Sequence, residues 1–354
     1  MAVFDWIQRV ESLSPAALTV MAQAIDPSDT DSLVWNTFFP RQDVGSIRIS
    51  EVSDLDFRPV ADNREWNADG RHIPLKVPAA KELKMVPTEA FFVIDELEMQ
   101  TLGETAGGNH EKLIQIIGAD IVSRSLGNAR ACYRRLEVNA FEAWANGNAR
   151  TTDPYGGTTT VSFGFDGDRY LTAGTAWDDG GVNAYELFLA FIEAGIAKMG
   201  ATPIGAVMRR ATMKVIKADA PNPYSPTSTI EMSVDQLNDK LSGDLGSPFR
   251  IFLMEHSGDV FGDSGPHNYT RTNYWPAQHV ALVPPGGQIG STKFAPVLRA
   301  GDIDRSAPDA GIDQNGVTAY HTTQNDGRSL KVAGQLNVFP IPAERNVFVT
   351  DAGV

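Results

Sequence analysis

Between Asn109 and Asn146 one pattern of apolar and polar positions runs without a break. Apolar or small side chains at Val122, Leu126, Ala129, Tyr133, Leu136, Ala140 and Trp144 fall four and three residues apart, which keeps them on one face of a helix. No proline interrupts the stretch, so the pattern predicts one helix of roughly 55 Å at ~1.5 Å per residue. Two shorter helices broken near Gly118 or Gly127 are the alternative, because an internal Gly costs a helix only ~1 kcal/mol relative to Ala. The opposite face carries Arg124, Arg130, Arg134, Arg135, Glu137 and Glu142, a mixed-charge surface suited to water or to a neighbouring subunit. Gly147 and Asn148 supply the stop signal.

The pattern weakens toward the N-terminus. Residues 1 to about 30 are polar to amphipathic and lead to an aromatic anchor, Trp35, Phe38, Phe39 and Pro40. They read either as an arm tied down at its end or as two short helices, Val3 to Val10 and Pro15 to Ile25. From Asp43 to Pro87, Ile47 and Ile49 alternate with polar residues, a polar turn-rich centre follows, and Ile73, Leu75 and Val77 alternate again. Pro74 and Pro78 lack the N–H of a central ladder, so this second strand is an edge, and the whole reads as a projecting ribbon. Such a ribbon is marginal alone in water, so it has to lie on something, and a neighbouring copy is the natural support. Ala90 to Leu102 is densely apolar and runs into the Gly-rich turn before the helix.

Beyond the helix, Thr158 to Phe165 and Arg169 to Ala173 flank Asp166-Gly167, a pair favoured in tight hairpins. Ala184 to Met199 and Ser233 to Leu245 are predicted helices. Ile204 to Ile216, Arg250 to Glu255, His279 to Val283, Leu330 to Ile341 and Asn346 to Thr350 are predicted strands. Strands and helices mixed in this way, joined by Gly/Pro/Asn-rich loops, make an α+β chain.

Composition narrows the class. The chain has 354 residues, 42% hydrophobic and 21% charged, values of an ordinary globular protein with two domains or one elaborated one. With 30 basic and 44 acidic residues, a formal net charge of -14 argues against gripping nucleic acid with the bulk surface, which needs clustered Lys and Arg. The single cysteine, Cys132, leaves no intramolecular disulfide and no cysteine-based zinc site, and suits a reducing compartment. MAVFDWIQRVE lacks the pattern of a signal peptide. The most apolar long stretch, Ala184 to Met208, is interrupted by Glu186, Glu193 and Lys198 and is not expected to span a membrane.

Several stretches imitate catalytic or binding motifs. Gly262-Asp263-Ser264-Gly265-Pro266 is close to the nucleophile loop of trypsin-like proteases, yet none of His72, His110 or His256 has the Ala-His-Cys setting of that family. His256, Asp259, Asp263 and His267 match no metal-ligand spacing, and Asp166-Gly167-Asp168 lacks the later positions of a calcium loop. Gly286-Gly287-Gln288-Ile289-Gly290 lacks the phosphate-cradling spacing and reads as a turn after Pro284-Pro285. No catalytic, cofactor or metal residue is assigned.

The parts that remain are Phe38-Phe39-Pro40, the extended Ile73-Pro74-Leu75-Lys76-Val77-Pro78 through Val86-Pro87, and the long helix ending near Asn146. To these the second half adds the helix Asn183 to Met199, the Pro284-Pro285-Gly286 turn with Ile289-Gly290-Ser291-Thr292, and the closing strand Asn346 to Thr350. In this order they resemble the major capsid proteins of tailed bacteriophages with the Hong Kong 97-type fold, in particular the lambda-like major capsid protein E family. The resemblance implies an N-terminal arm (1–45), an extended β-hairpin loop (46–88) and a peripheral domain (89–182) holding the spine helix 109–146. An axial domain (183–325) and C-terminal strands returning to the body (326–354) complete it.

By the same resemblance the chain is a non-enzymatic subunit that self-assembles as pentamers and hexamers into an icosahedral head. The head forms in the host bacterial cytoplasm, becomes part of the virion, and encloses double-stranded DNA without sequence-specific binding. Scaffold, portal and decoration (cement) proteins are the implied partners; no cofactor or membrane is implied. Phe38, Phe39, Trp66 and Arg71 are the candidate subunit contacts, since aromatic and Arg side chains dominate hot spots; for Trp66 the alternative is that it folds back on its own ribbon. The rival readings are a cellular encapsulin-like nanocompartment shell and a metal- or serine-dependent hydrolase using the 256–267 loop.

Overall fold

The computed structural model describes residues 14–25, 33–46, 48–52, 80–85, 87–152, 158–221, 232–261, 269–297, 315–324 and 329–354. The chain enters through helix α1 (Pro15–Gln23), a single turn α2 (Trp35–Phe38) and strand β1 (Arg41–Asp43). Strands β2 (Arg48–Val52) and β3 (Ala80–Lys84) pair antiparallel and form the root of the expected ribbon, whose centre, 53–79, lies outside the described residues. Then come β4 (Pro87–Ile94), α3 (Glu96–Thr105) and the long helix α4 (His110–Asn146), followed by the hairpin β5 (Asn148–Thr152) and β6 (Thr158–Ser162).

The second half runs β7 (Tyr170–Thr172), α5 (Ala184–Met199), β8 (Gly205–Met208), α6 (Arg210–Asp219), α7 (Val234–Leu245) and β9 (Arg250–Leu253). It continues through the ribbon β10 (Ser257–Phe261) and β11 (Tyr269–Asn273), then β12 (His279–Val283), β13 (Gly290–Ala295), β14 (Thr318–Gln324), β15 (Ser329–Pro342) and β16 (Val349–Asp351).

Helix α4 is one unbroken helix of 37 residues, with no interruption at Gly118 or Gly127. The Asn109 side chain accepts from Lys112 N–H (3.2 Å) at its start. Gly147, at φ 65°, closes it, and a Cβ there would meet the Tyr170 ring at 2.8 Å. The predicted stripe faces inward, with Ala129, Tyr133, Leu136, Ala140 and Trp144 all buried.

The face lies on a sheet centred on β15, which pairs antiparallel with β4, β13 and β14, while β1 joins β13 in parallel. Helix and sheet meet at Gly334, where a Cβ would stand 3.0 Å from Asn128 Cβ, and Asn128 Nδ2 donates to Val332 O (3.0 Å). Cys132 packs in the same seam, and burial pushes its thiol up to about 12.

A second sheet, in the order β7-β16-β12-β8-β9, packs with α5, α6 and α7 around Phe188, Phe191, Met208, Leu237, Phe249 and Phe348. Two expectations change here. Ile204 to Ile216 is not one strand: β8 ends at Met208 and α6 begins at Arg210, with Glu255 Oε1 accepting its first N–H at 2.6 Å. Asp166-Gly167 does not close a hairpin, since β6 pairs with β5, β7 pairs with β16, and Gly167–Arg169 is a 3-10 turn. Ala90 to Leu102 divides into β4 and α3 at Asp95, whose carboxylate accepts from Glu98 N–H (2.8 Å).

Gly334→Val is expected to lower unfolding stability by about 1–3 kcal/mol by overpacking the seam between α4 and β15. Urea unfolding measures it, and an unchanged midpoint would contradict the close approach.

Candidate functional site

The aromatic anchor is held by a buried carboxylate. Val34, at the N-cap of α2, offers no side-chain oxygen, so the turn's first N–H groups need an acceptor from elsewhere. Glu137 of α4 provides it: Val34 N–H donates at 3.0 Å and Trp35 N–H at 3.0 Å to Oε2, and His256 Nδ1 lies 3.2 Å from Oε1. Glu137 is 0% exposed, so its place on the expected solvent or subunit face of α4 is corrected. Every residue from Leu136 to Phe141 is buried, because the sheet covers one side of the helix and the 33–40 segment covers another. Burial raises the Glu137 pKa above the ordinary carboxylate value, against the opposing pull of the bonds from Trp35, His256 and Val34.

The aromatic rings complete the anchor. Phe38 lies tilted at 5.0 Å from Trp144 and meets Phe252 edge-on, Phe39 lies 6.4 Å from Trp144, and Trp35 lies 5.9 Å from Phe294. Backbone bonds stitch the segment to β13: Ile289 N–H donates to Phe38 O at 2.8 Å and Thr292 N–H to Pro40 O at 2.9 Å. Phe38 and Phe39, 4% and 0% exposed, lie in the chain's own core. Trp66 and Arg71 lie outside the described residues.

Of the candidate hydrolase residues only His256 has a described side chain. His256 is engaged by Glu137, and Asp263, Ser264 and His267 lie outside the described residues. Among the described residues no group of three or more His, Cys, Asp or Glu is placed to hold a metal, and no helix is long and apolar enough to cross a membrane. A solvent-open cavity of about 490 Å³ beside the end of α4 is lined by Glu142, Tyr170, His279 and Asp351. Burial lowers the His279 pKa there, against the opposing charge of Asp351.

No family model matches the chain, and no curated protein matches it. Among solved structures it resembles a protein assigned as a prophage capsid protein of E. coli CFT073, at 12% identity and a TM-score of 0.53 over 94% of this chain and 96% of that one. The chain has the Hong Kong 97-type capsid fold. A phage-related protein of Bordetella bronchiseptica RB50 (10% identity, TM-score 0.47, 95% and 96% covered) and a virus-like particle from Pyrococcus furiosus (9%, 0.43, 96% and 99%) also match along nearly their whole lengths.

In this Hong Kong 97-type chain Glu137 joins three distant segments, the entry at 33–40, the spine helix and the start of the β10 ribbon. Glu137→Ala leaves two buried N–H groups without an acceptor and is expected to cost ~2–4 kcal/mol in unfolding stability. Glu137→Gln keeps an acceptor and isolates the titration. A raised folded pKa means stability that is present at low pH and lost as pH rises through that pKa. Unfolding measured from about pH 7 down to about pH 4 should therefore favour the wild type over Glu137→Gln increasingly as pH falls. A constant difference would contradict the raised pKa.

Proposed function

We propose that this protein is a shell-forming subunit, the major capsid protein of a tailed phage, which builds an icosahedral head from pentamers and hexamers around double-stranded DNA. The observation that carries the reading is the end-to-end likeness of fold to the prophage capsid protein, 94% of one chain against 96% of the other. The lambda-like major capsid protein E family is the finer assignment, supported by the order of anchor, ribbon, spine helix and closing strand along the sequence. The arm (1–45), extended loop (46–88), peripheral domain (89–182), axial domain (183–325) and C-terminal strands (326–354) are the parts this assignment gives the chain.

The function is assembly without turnover. Contacts too weak to hold a dimer close a shell when each subunit makes several at once. A net charge of -14 suits a container that encloses DNA without adhering to it. Scaffold, portal and decoration proteins are the partners this role calls for, and the virion is where the assembled chain resides. Trp66 and Arg71 remain the proposed contacts on the projecting ribbon.

Sedimentation velocity of the recombinant chain, alone and with its scaffold, followed by electron microscopy of any fast fraction, tests the reading. Closed shells are expected, empty of host protein cargo. A chain that stays a small oligomer in both conditions would overturn it, and shells that package one host enzyme would move it to a cellular nanocompartment. Ser264→Ala is expected to leave assembly unchanged; loss of a hydrolytic turnover on this substitution would point to an enzyme instead.

A further inference from the structure

Among the described residues the sheet beneath the spine helix has three outer strands, and two of them are protected. Along β14 the Thr19 hydroxyl of α1 donates to Ala319 O and accepts from Ala319 N–H, both at 3.0 Å, and Gln23 Nε2 donates to Val317 O at 3.1 Å. Helix α1 thereby satisfies an edge that would otherwise template another strand. β1 is three residues long, and its side chains, Arg41, Gln42 and Asp43, are polar and exposed, the other common way of blunting an edge.

β4 has neither protection. It is eight residues long and pairs only with β15 among the described residues. Four of the seven large hydrophobic side chains exposed among the described residues fall on it or just after it: Phe91 (51%), Phe92 (49%), Val93 (38%) and Leu97 (72%). Neighbouring residues on a strand point to opposite faces. Phe92 lies under Arg124 of the spine helix, and Phe91 lies under Lys331 of β15. The apolar surface therefore straddles the edge, and a cover laid on one face would leave the other wet. Only a partner set alongside the strand covers both, by the edge addition used in many recognition modes.

The charges around the patch select the partner. Arg124 pairs with Glu98 and Asp120, and Lys331 pairs with Glu89. Each cation already has its carboxylate, so a partner of one strong sign, such as nucleic acid or a polybasic tail, gains no new attraction. A second copy presents the same apolar strand with the same balanced rim, the self-complementarity that a two-fold contact requires.

We propose that the open edge of β4, with Phe91, Phe92, Val93 and Leu97, is a docking surface for a second copy of this chain, the two β4 strands meeting antiparallel edge to edge. Parity of the strand faces requires like-facing residues to oppose, and centring the pair on the apolar patch sets Phe92 opposite Phe92 on one face and Phe91 opposite Val93 on the other. The contact does not depend on the shell reading, because it is read on the soluble chain before any assembly.

The test replaces Phe91 with a benzophenone-bearing phenylalanine analogue, which keeps the native ring and extends it outward by a benzoyl group, and irradiates the full chain in solution. The expected result is a product shifted from 38.3 kDa to twice that mass, with peptide mapping placing the cross-link within residues 87–98 of the second copy. The analogue at Leu171, an exposed apolar position on the other sheet, is expected to give no such product. Adding Val93→Lys to the Phe91 analogue should abolish the product while the circular dichroism spectrum stays that of the wild type. No product at Phe91, a cross-link elsewhere on the second copy, or equal yield at Leu171 would each overturn the proposal.

Discussion

A 37-residue helix in a folded protein draws most of its stability from packing an apolar face rather than from propensity, so it needs an apolar partner along its length. Here the partner is the 14-residue strand β15, and the larger of the two main cores is arranged around that seam. β4, β13 and β14 extend β15 sideways, so residues from about 87 and from about 340 meet on one surface. The entry segment covers the helix from another side. Because the helix is then enclosed from Leu136 to Phe141, any polar group it carries there must be satisfied internally.

Glu137 is that polar group. A carboxylate taken wholly out of water is costly unless its oxygens are bonded, and this one accepts from two backbone N–H groups and faces an imidazole. The arrangement makes a solvation cost serve as a positional lock: Glu137 and the N-terminus of α2 each lack a local partner and supply one to the other. The ends of the second half follow the same logic. Asp219 accepts from Ala184 N–H at the start of α5, and Glu255 from Arg210 N–H at the start of α6.

Those caps explain what the sequence disclosed and what it withheld. The helices legible in advance, α4, α5 and α7, carry their own signals in Asn109, Asn183 and Ser233, the last with a full capping box to Gln236. α6 has no local cap, and its apolar residues passed for a strand because the acceptor that starts it comes 45 residues later. Glu137 was misplaced for a related reason: periodicity reports the first layer against a helix, and the second layer here is the segment at 33–40, roughly 100 residues away. The uncapped Val34 beside a buried aromatic turn was the available hint that a distant acceptor existed. The open edge at β4 was not legible either, because Phe91, Phe92 and Val93 read as core in any apolar count, and only the sheet order shows that no described strand flanks them on that side.

One rod-like helix runs unbroken from His110 to Asn146, and β2 and β3 root the ribbon earlier in the chain. Small-angle X-ray scattering of the monomeric chain, at a concentration too low for association, addresses that directly. A compact chain of this length has a radius of gyration near ~20 Å, and a clearly larger value is the expected result. A radius at the compact value would mean that helix and ribbon are folded into a ball, and would contradict an extended chain of the Hong Kong 97-type fold.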